Sequence, residues 1–326
     1  MKTMNAIVQP AYGSAEVLRF EEVERPALGD GEVRVRVHAA SVCKGDVHLL
    51  TGTPYLLRLM FGLRRPKRRI AGQDVAGTVE AVGAHVTALK PGDEVYGQVP
   101  GGAFAEYVCA SADLFAPKPA NVTFEQAASV PISGLTALQG LRDAGQLKPG
   151  QKVLINGASG GVGTFAVQIA KALGAEVTAV CSTRHVDKVR SLGADRVVDY
   201  TREDFARGSE RYDVMLDLVG NRALADCRAV LAPKGVFVSS AGSPGGNWIG
   251  PIVWMLKVMV AGMAGSQKMT SLMAMPRRDD LLFLRSLIEA GKVTPVIEHR
   301  FALSETAAAM RHVAEGHSQG KTVVFV

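Results

Sequence analysis

Along residues 32–41, EVRVRVHAAS, apolar Val33, Val35 and Val37 alternate with Arg34, Arg36 and His38. A period of two marks a half-buried strand. Similar short β-branched runs recur at 74–83, broken by turns such as KPGDEV at 90–95. The first 120 or so residues therefore read as β-rich and predict a small, partly closed barrel. From residue 121 the pattern changes. TFEQAASVPISGLTALQGL, 123–141, has helical spacing and opens on a Thr123-x-x-Gln126 capping box. QKVLING, 151–157, is a continuous apolar strand. The helix after it has one apolar face formed by Val162, Phe165, Ala166, Ile169, Ala170 and Leu173. AEVTAVCS, DRVVDY, YDVMLDLVG and GVFVSSAG read as further strands. Apolar strands alternating with helices predict a doubly wound parallel sheet. From 295 onward strand–helix–strand returns and is expected to rejoin the first domain. The expected division is 1–121 with 292–326 as one domain and 122–291 as the other.

Composition narrows the class. The 326 residues are 47% hydrophobic and 21% charged, which excludes a disordered chain. The length exceeds what one core usually holds. Cys43, Cys109, Cys181 and Cys227 form no CxxC pair, which argues against a disulfide framework and a zinc ribbon. The net charge of +6 gathers at 58–69, RLMFGLRRPKRR, which reads as a solvated basic loop rather than a nucleic-acid surface. The opening MKTMNAIVQPAYG lacks an apolar signal core, so a cytoplasmic protein is expected. Residues 248–265, WIGPIVWMLKVMVAGMAG, approach membrane-spanning length but carry Lys257, Pro251 and three glycines. They are expected to form an apolar wall or lid, or a peripheral membrane contact.

The chemistry sits in GASGGVG, 157–163, between a predicted strand and helix. There glycines permit a tight turn and close approach of a phosphate, and the helix N-terminus holds a pyrophosphate. An NAD site usually ends its second strand on Asp or Glu, about 20 residues past the first Gly. Here that place reads Cys181, Ser182, Thr183, Arg184. Hydroxyls plus a guanidinium suit the 2′-phosphate of NADPH. The alternative is that Arg184 is a solvated helix-start residue.

Gly150 to Lys171, GQKVLINGASGGVGTFAVQIAK, resembles the signature of the zinc-independent quinone oxidoreductase (zeta-crystallin-like) branch of the medium-chain dehydrogenase/reductase superfamily. The blocks AGQDVAGTVEAVGAHVTALKPGDEVYG, GGAFAEYV, LGADRVVDY, EAGKVTPVIEHRF and GKTVV extend the likeness over essentially the whole chain. Within the branch it is similar to the group of the mitochondrial reticulon-4-interacting-protein reductase and the chloroplast envelope quinone oxidoreductase homologue. The resemblance implies an α/β fold, a GroES-like catalytic domain plus a Rossmann domain, and a homodimer. It implies NADPH-dependent hydride transfer to a quinone or enone, and the apolar stretch 248–265 points to a lipophilic one. A 2-alkenal double-bond reductase and an NADPH-binding regulatory protein with little turnover are the alternatives.

Zinc-dependent relatives use a Cys, a Gly-His-Glu and a later Cys or His. Cys43 keeps the first place, Gly72-Gln73-Asp74 replaces the second, and 131–139 holds neither Cys nor His. One ligand is too few for a catalytic zinc, so no metal is expected. Carried over by resemblance, Ser159, Gly160, Gly161 and Val162 meet the pyrophosphate. Ser182, Thr183, Arg184 and Tyr200 meet the adenosine end. Leu218, Val219, Ser240, Ala241 and Gly242 follow successive strands at their carboxyl ends, where ligands bind such sheets. Thr270 and Leu272 sit in a strand that resembles the one beside the nicotinamide, and His317, Ser318 and Lys321 belong to a loop returning over the cofactor. Tyr55, Cys43 and Asp46 are the candidate catalytic or substrate-lining residues. For Tyr55 a half-buried aromatic, for Cys43 a buried filler and for Asp46 a structural hydrogen bond are the alternatives.

Overall fold

The strand Glu32–Val42 is the spine of the β-rich half: Val33, Val35 and Val37 are buried while Arg36 is exposed. A computed structural model describes residues 2–240, 250–263, 265–316 and 319–326, and the chain divides into two units. The first comprises Met1–Ser133, Pro276–Ala290 and Pro295–Val326. Its seven-stranded sheet runs Ile297–Ala302, Lys321–Phe325, Glu32–Val42, Asp74–Val82, Glu94–Gln98, Phe115–Pro117, with Tyr107–Ser111 also pairing Glu32–Val42. The C-terminal strand does return to this sheet, antiparallel to the spine, with Val323 opposite Ser41. Val33, Val35, Val75, Val79, Val95, Phe104 and Phe115 fill the core.

The unit limits differ from the division expected at 121/122 and 291/292. Helix Phe124–Ala128 packs on the spine strand, and helix Arg278–Glu289 is tied to the first unit by hydrogen bonds. Tyr96 Oη donates to Leu281 O at 2.6 Å, and Asn121 Nδ2 to Ile288 O at 2.9 Å. Composition changes where the helices begin, whereas packing assigns these helices to the sheet they cover. The Thr123 capping box forms: Gln126 N–H donates to Thr123 Oγ1, and Thr123 N–H to Gln126 Oε1. The one helix expected over 123–141 is instead two, Phe124–Ala128 and Pro131–Leu138, followed by a wider turn at Gln139–Ala144. Pro131 has no N–H to continue a helix and pushes the residue before it toward extended backbone.

The second unit, Gly134–Met275 with Gly291–Thr294, holds six parallel strands. Their order is Arg196–Asp199, Glu176–Cys181, Lys152–Asn156, Tyr212–Asp217, Leu231–Ser239, Lys268–Ser271. Numbered along the chain this is 3-2-1-4-5-6, the doubly wound order, and ligands bind such sheets at the strands' carboxyl ends beside the first strand. Helix Gly161–Ala172 buries Phe165, Ala166, Ile169 and Ala170 of its expected stripe but leaves Val162 and Leu173 half-buried. Thr164, Val167 and Gln168 are buried too, because Gln168 Nε2 donates to Thr294 O while Thr294 N–H donates to Gln168 Oε1.

The apolar stretch of 248–265 contains a 13-residue helix, Gly250–Gly262. Its Val258 is buried and Trp254 Nε1 donates to Ser239 Oγ at 3.0 Å, while Met255, Leu256, Met259 and Val260 are exposed. Among the described residues no helix is long and apolar enough to cross a membrane. Trp248 and Ile249 lie outside the described residues.

Candidate active site

In the second unit the strand Lys152–Asn156 ends on a turn that only glycine satisfies. Gly157 has φ +90°, and a Cβ there would lie 2.7 Å from Val219 Cγ2. A Cβ on Gly163 would lie 2.2 Å from Gly157 O, so the helix start is drawn tightly onto the strand end. Gly160 caps that helix, and the nearest atom to a Cβ built on it is 3.6 Å away. The first helical turn leaves the N–H groups of Gly161, Val162 and Gly163 without helical acceptors. A close-packed turn beside an open cap with free donors fits a pyrophosphate, in keeping with Ser159, Gly160, Gly161 and Val162 as its contacts.

The residues expected at the adenosine end are brought together by strand register. Asp199 stands opposite Cys181, and Tyr200 N–H donates to Cys181 O at 3.0 Å. This brings exposed Tyr200 beside Ser182, Thr183 and Arg184. The acid absent from the end of the second strand is supplied by its neighbour. Thr183 Oγ1 donates to Asp199 Oδ2 at 2.6 Å, and Thr201 donates to Oδ1 through its Oγ1 at 2.7 Å and its backbone N–H at 3.0 Å. These bonds, the Thr183 hydroxyl foremost, hold the Asp199 carboxyl below its usual range. The Thr183 hydroxyl is thus spent on Asp199, whereas exposed Arg184 has no ion-pair partner among the described residues.

Asn156 and Asp217 stand opposite each other at the ends of adjacent strands. Asn156 Nδ2 donates to Asp217 Oδ1 at 2.9 Å and to Asn221 Oδ1 at 3.1 Å, and the N–H groups of Val219 and Gly220 also donate to Asp217 Oδ1. This network fixes 218–220 against Gly157. Ser240 N–H donates to Asp217 O and Leu272 N–H to Ser239 O, so Leu218, Val219, Ser240 and Leu272 follow the ends of three neighbouring strands, and Thr270 lies within the last of them opposite Val238. Ala241, Gly242, His317 and Ser318 lie outside the described residues.

The first unit holds a different kind of cluster. Asp74 is buried; its Oδ1 accepts from Ile132 N–H at 2.9 Å, and its Oδ2 from Ser41 Oγ at 2.9 Å and Lys321 Nζ at 3.3 Å. Lys321 Nζ also donates to Ser133 Oγ at 3.2 Å and is itself buried. Lys321 therefore departs from the expected cofactor contact: its ammonium neutralises a buried carboxylate. Asp46 Oδ2 accepts from Cys43 N–H at 2.9 Å, which caps helix Lys44–Thr51, and Oδ1 is buried without a partner. Burial, assisted by Asp74, pushes the Asp46 carboxyl up to about 6. Burial and the Asp46 charge push the Cys43 thiol well above its ordinary value, so it stays protonated at neutral pH rather than serving as a nucleophile.

A Cβ built on Gly45 would lie 3.3 Å from Cys43 Sγ and 3.6 Å from Gln73 Oε1, so the first two former ligand positions do converge. The third segment reaches the cluster through its Ile132 N–H on Asp74. Tyr55 is half-buried, with the Arg58 guanidinium 4.7 Å from its ring centre; Arg58 also donates to Gly52 O and Thr51 O. Sequence reasoning missed Ser41, Ser133, Asn156, Asp199 and Asp217. A usable signal existed for two of them, since Asp199 and Asp217 are acids closing otherwise apolar strands.

Two family models match the chain: an alcohol dehydrogenase GroES-like domain at residues 29–120 and a zinc-binding dehydrogenase at 192–324. The mouse mitochondrial NAD(P)H oxidoreductase RTN4IP1 is 36% identical over 99% of this chain and 89% of its own length. An Arabidopsis thaliana chloroplastic NADPH-dependent alkenal/one oxidoreductase is 32% identical over 99% of this chain and 80% of its own. A solved quinone oxidoreductase from Coxiella burnetii superposes with a TM-score of 0.87 at 30% identity, covering 100% of both chains.

Proposed function

The chain belongs to the medium-chain dehydrogenase/reductase superfamily, in its quinone oxidoreductase branch, as a nicotinamide-dependent oxidoreductase, and on that premise we propose that it uses NADPH to reduce quinones or α,β-unsaturated carbonyls without zinc. The observation that carries the NADPH reading is exposed Arg184 next to Ser182, with no ion-pair partner among the described residues and with the nearest acid in register, Asp199, already engaged by Thr183 and Thr201. A free guanidinium favours the dianionic 2′-phosphate. A carboxylate free to accept from the ribose hydroxyls would favour NADH.

A bound reduced nicotinamide supplies a hydride. The N–H groups of Gly161 and Val162 hold the pyrophosphate, Tyr200 flanks the adenosine, and the Asp217 network keeps 218–220 in place. On the acceptor side, hydride addition to a quinone or enone leaves negative charge on oxygen. Such acceptors are already electrophilic, so hydrogen-bond donors suffice where a simple alcohol or ketone would need a Lewis acid. The Tyr55 hydroxyl and the protonated Cys43 thiol are the donors we assign. The donor set of Cys43, Gln73 and the 131–133 segment supports the zinc-free reading. It offers one thiol held protonated, one amide and no imidazole, against the three good ligands that a catalytic zinc needs. The alkenal/enone reading stands beside the quinone reading because the Arabidopsis relative is an alkenal/one oxidoreductase by name.

The test is oxidation of NADPH and NADH in parallel against a benzoquinone, a naphthoquinone, a long-chain enone and a 2-alkenal, repeated after chelation. Turnover with NADPH that survives the chelator is expected, and the preferred acceptor separates the two substrate readings. Tight NADPH binding with no turnover on any acceptor removes the reductase reading in favour of a regulatory protein. Loss of turnover on chelation with Tm unchanged removes the zinc-free one.

A further inference from the structure

We propose that Glu298, His299 and His312 form a site for a divalent transition-metal ion of the zinc type, sharing no residue with the Cys43–Asp74 cluster. Glu298 and His299 are consecutive in the strand Ile297–Ala302, where neighbouring side chains ordinarily point to opposite faces. Here the ladder is interrupted: Ile297 pairs with Lys321 and His299 with the very next residue, Thr322, leaving Glu298 as an extra residue. Such a bulge re-aims a side chain, and its effect is to bring Glu298 and His299 together. His312 comes from the last turn of helix Thr306–Glu315.

The three ligand atoms lie within 4.8 Å of one another. His299 Nε2 stands 3.6 Å from Glu298 Oε1, and His312 Nε2 stands 3.6 Å from Glu298 Oε2. The two rings meet edge to face at 4.3 Å. Zinc–nitrogen bonds of about 2.0–2.1 Å put tetrahedral ligands about 3.3 Å apart. A contraction well within side-chain reach would close the site. His312 Nε2 is buried and makes no hydrogen bond among the described residues, a condition that native structures rarely leave unanswered. A metal ion accounts for that nitrogen. Two imidazoles and one carboxylate suit zinc, cobalt or nickel, not the all-oxygen shells of calcium or magnesium. The carboxylate is oriented from outside: Gln319 N–H donates to Glu298 Oε2 at 2.6 Å, leaving Oε1 for the ion. Because the strand pairs directly with Lys321–Phe325, the ion would clip the ladder beside Lys321, the residue that neutralises Asp74.

The experiment titrates the full-length protein with Co2+, read by visible absorption, and with Zn2+, read by Tm. Wild type is expected to bind one Co2+ with ligand-field bands and no thiolate charge-transfer band, to release it to Zn2+, and to gain Tm with Zn2+. His299→Ala and His312→Gln are each expected to weaken binding by about 100-fold or more, at or beyond the upper end of what losing an outer-shell partner costs. Tm without metal verifies each fold, and exposed His299 gives a variant that tests the ligand even where His312→Gln fails to fold. Absence of Co2+ bands at saturation, unchanged affinity in a folded variant, or a thiolate band marking a cysteine site would each overturn the proposal.

Discussion

In the parallel-sheet unit the candidate site is made of backbone: two glycines pressed against carbonyl and side-chain atoms, a helix start with free N–H groups, and strand ends locked by Asn156 and Asp217. In the β-rich unit it is made of charged side chains: Asp74, Lys321 and Asp46 are buried together, and their energies depend on protonation and pairing. A backbone site fails by collision when a Cβ is added. A side-chain site fails by leaving a charge unpaired, and it responds to pH. The two regions should therefore break in different ways.

The largest break is expected in the β-rich unit. Lys321→Met leaves Asp74 buried and unpaired, and removing one member of a buried ion pair costs about 3–5 kcal/mol. Denaturant unfolding should show this loss in the absence of any cofactor, with partial recovery in the Lys321→Met, Asp74→Asn double variant. If Lys321 instead met the cofactor, the variant would keep its stability and lose only NADPH affinity. Next comes Gly163→Ala, whose methyl would sit 2.2 Å from a backbone carbonyl. Strand or helix must shift, at a cost of about 3 kcal/mol for a strained backbone site. NADPH binding should fall with it, because the displaced turn is the proposed phosphate cradle.

This contrast also explains what could be read from the residues alone. The phosphate turn is local: strand, glycines and helix are contiguous from 151 to 173, so period and glycine spacing expose it. The core valines of Glu32–Val42 were legible for the same reason. The Asp74–Lys321 pair joins residues 247 apart, and no local pattern distinguishes a lysine destined for a buried carboxylate from one facing a phosphate. The break at Pro131 was legible in principle, since a proline stood inside the expected helix. The unit limits were not, because they depend on which sheet a helix covers. Asp199 illustrates the middle case. It is visible as a strand-ending acid, but its pairing with Thr183 follows only from the register of adjacent strands.

A smaller effect separates the units by pH. The Asp46 carboxyl is raised from its ordinary 3.8 to about 6 by burial. An acid whose folded pKa lies above its unfolded one favours the folded state most at low pH, and that advantage is lost as pH rises through the folded value. Asp46→Asn should match wild type near pH 4, because the amide resembles the neutral acid and keeps an oxygen for Cys43 N–H. Above pH 7 it should be more stable than wild type by about 3 kcal/mol, following from a shift of roughly two pH units at about 1.4 kcal/mol each. Parallel melts across that range read the difference, and a pH-independent difference would mean the buried oxygen is not titrating.

The smallest expected effect tests the backbone unit at an exposed side chain, Arg184. Arg184 is exposed, so its contact with a phosphate is worth less than a buried pair. A charge-assisted bond screened by solvent contributes about 1–1.5 kcal/mol, or about tenfold in affinity. Arg184→Ala should raise the NADPH KM by that factor while leaving kcat, the NADH KM and Tm unchanged, since Arg184 pairs with no described residue. Ionic strength supplies a second readout. NADPH affinity in wild type should weaken as salt screens the guanidinium, and the variant should show a shallower dependence. Equal loss with both cofactors would mean that Arg184 acts on a part common to both, and the 2′-phosphate assignment would then fall while the glycine cradle stood.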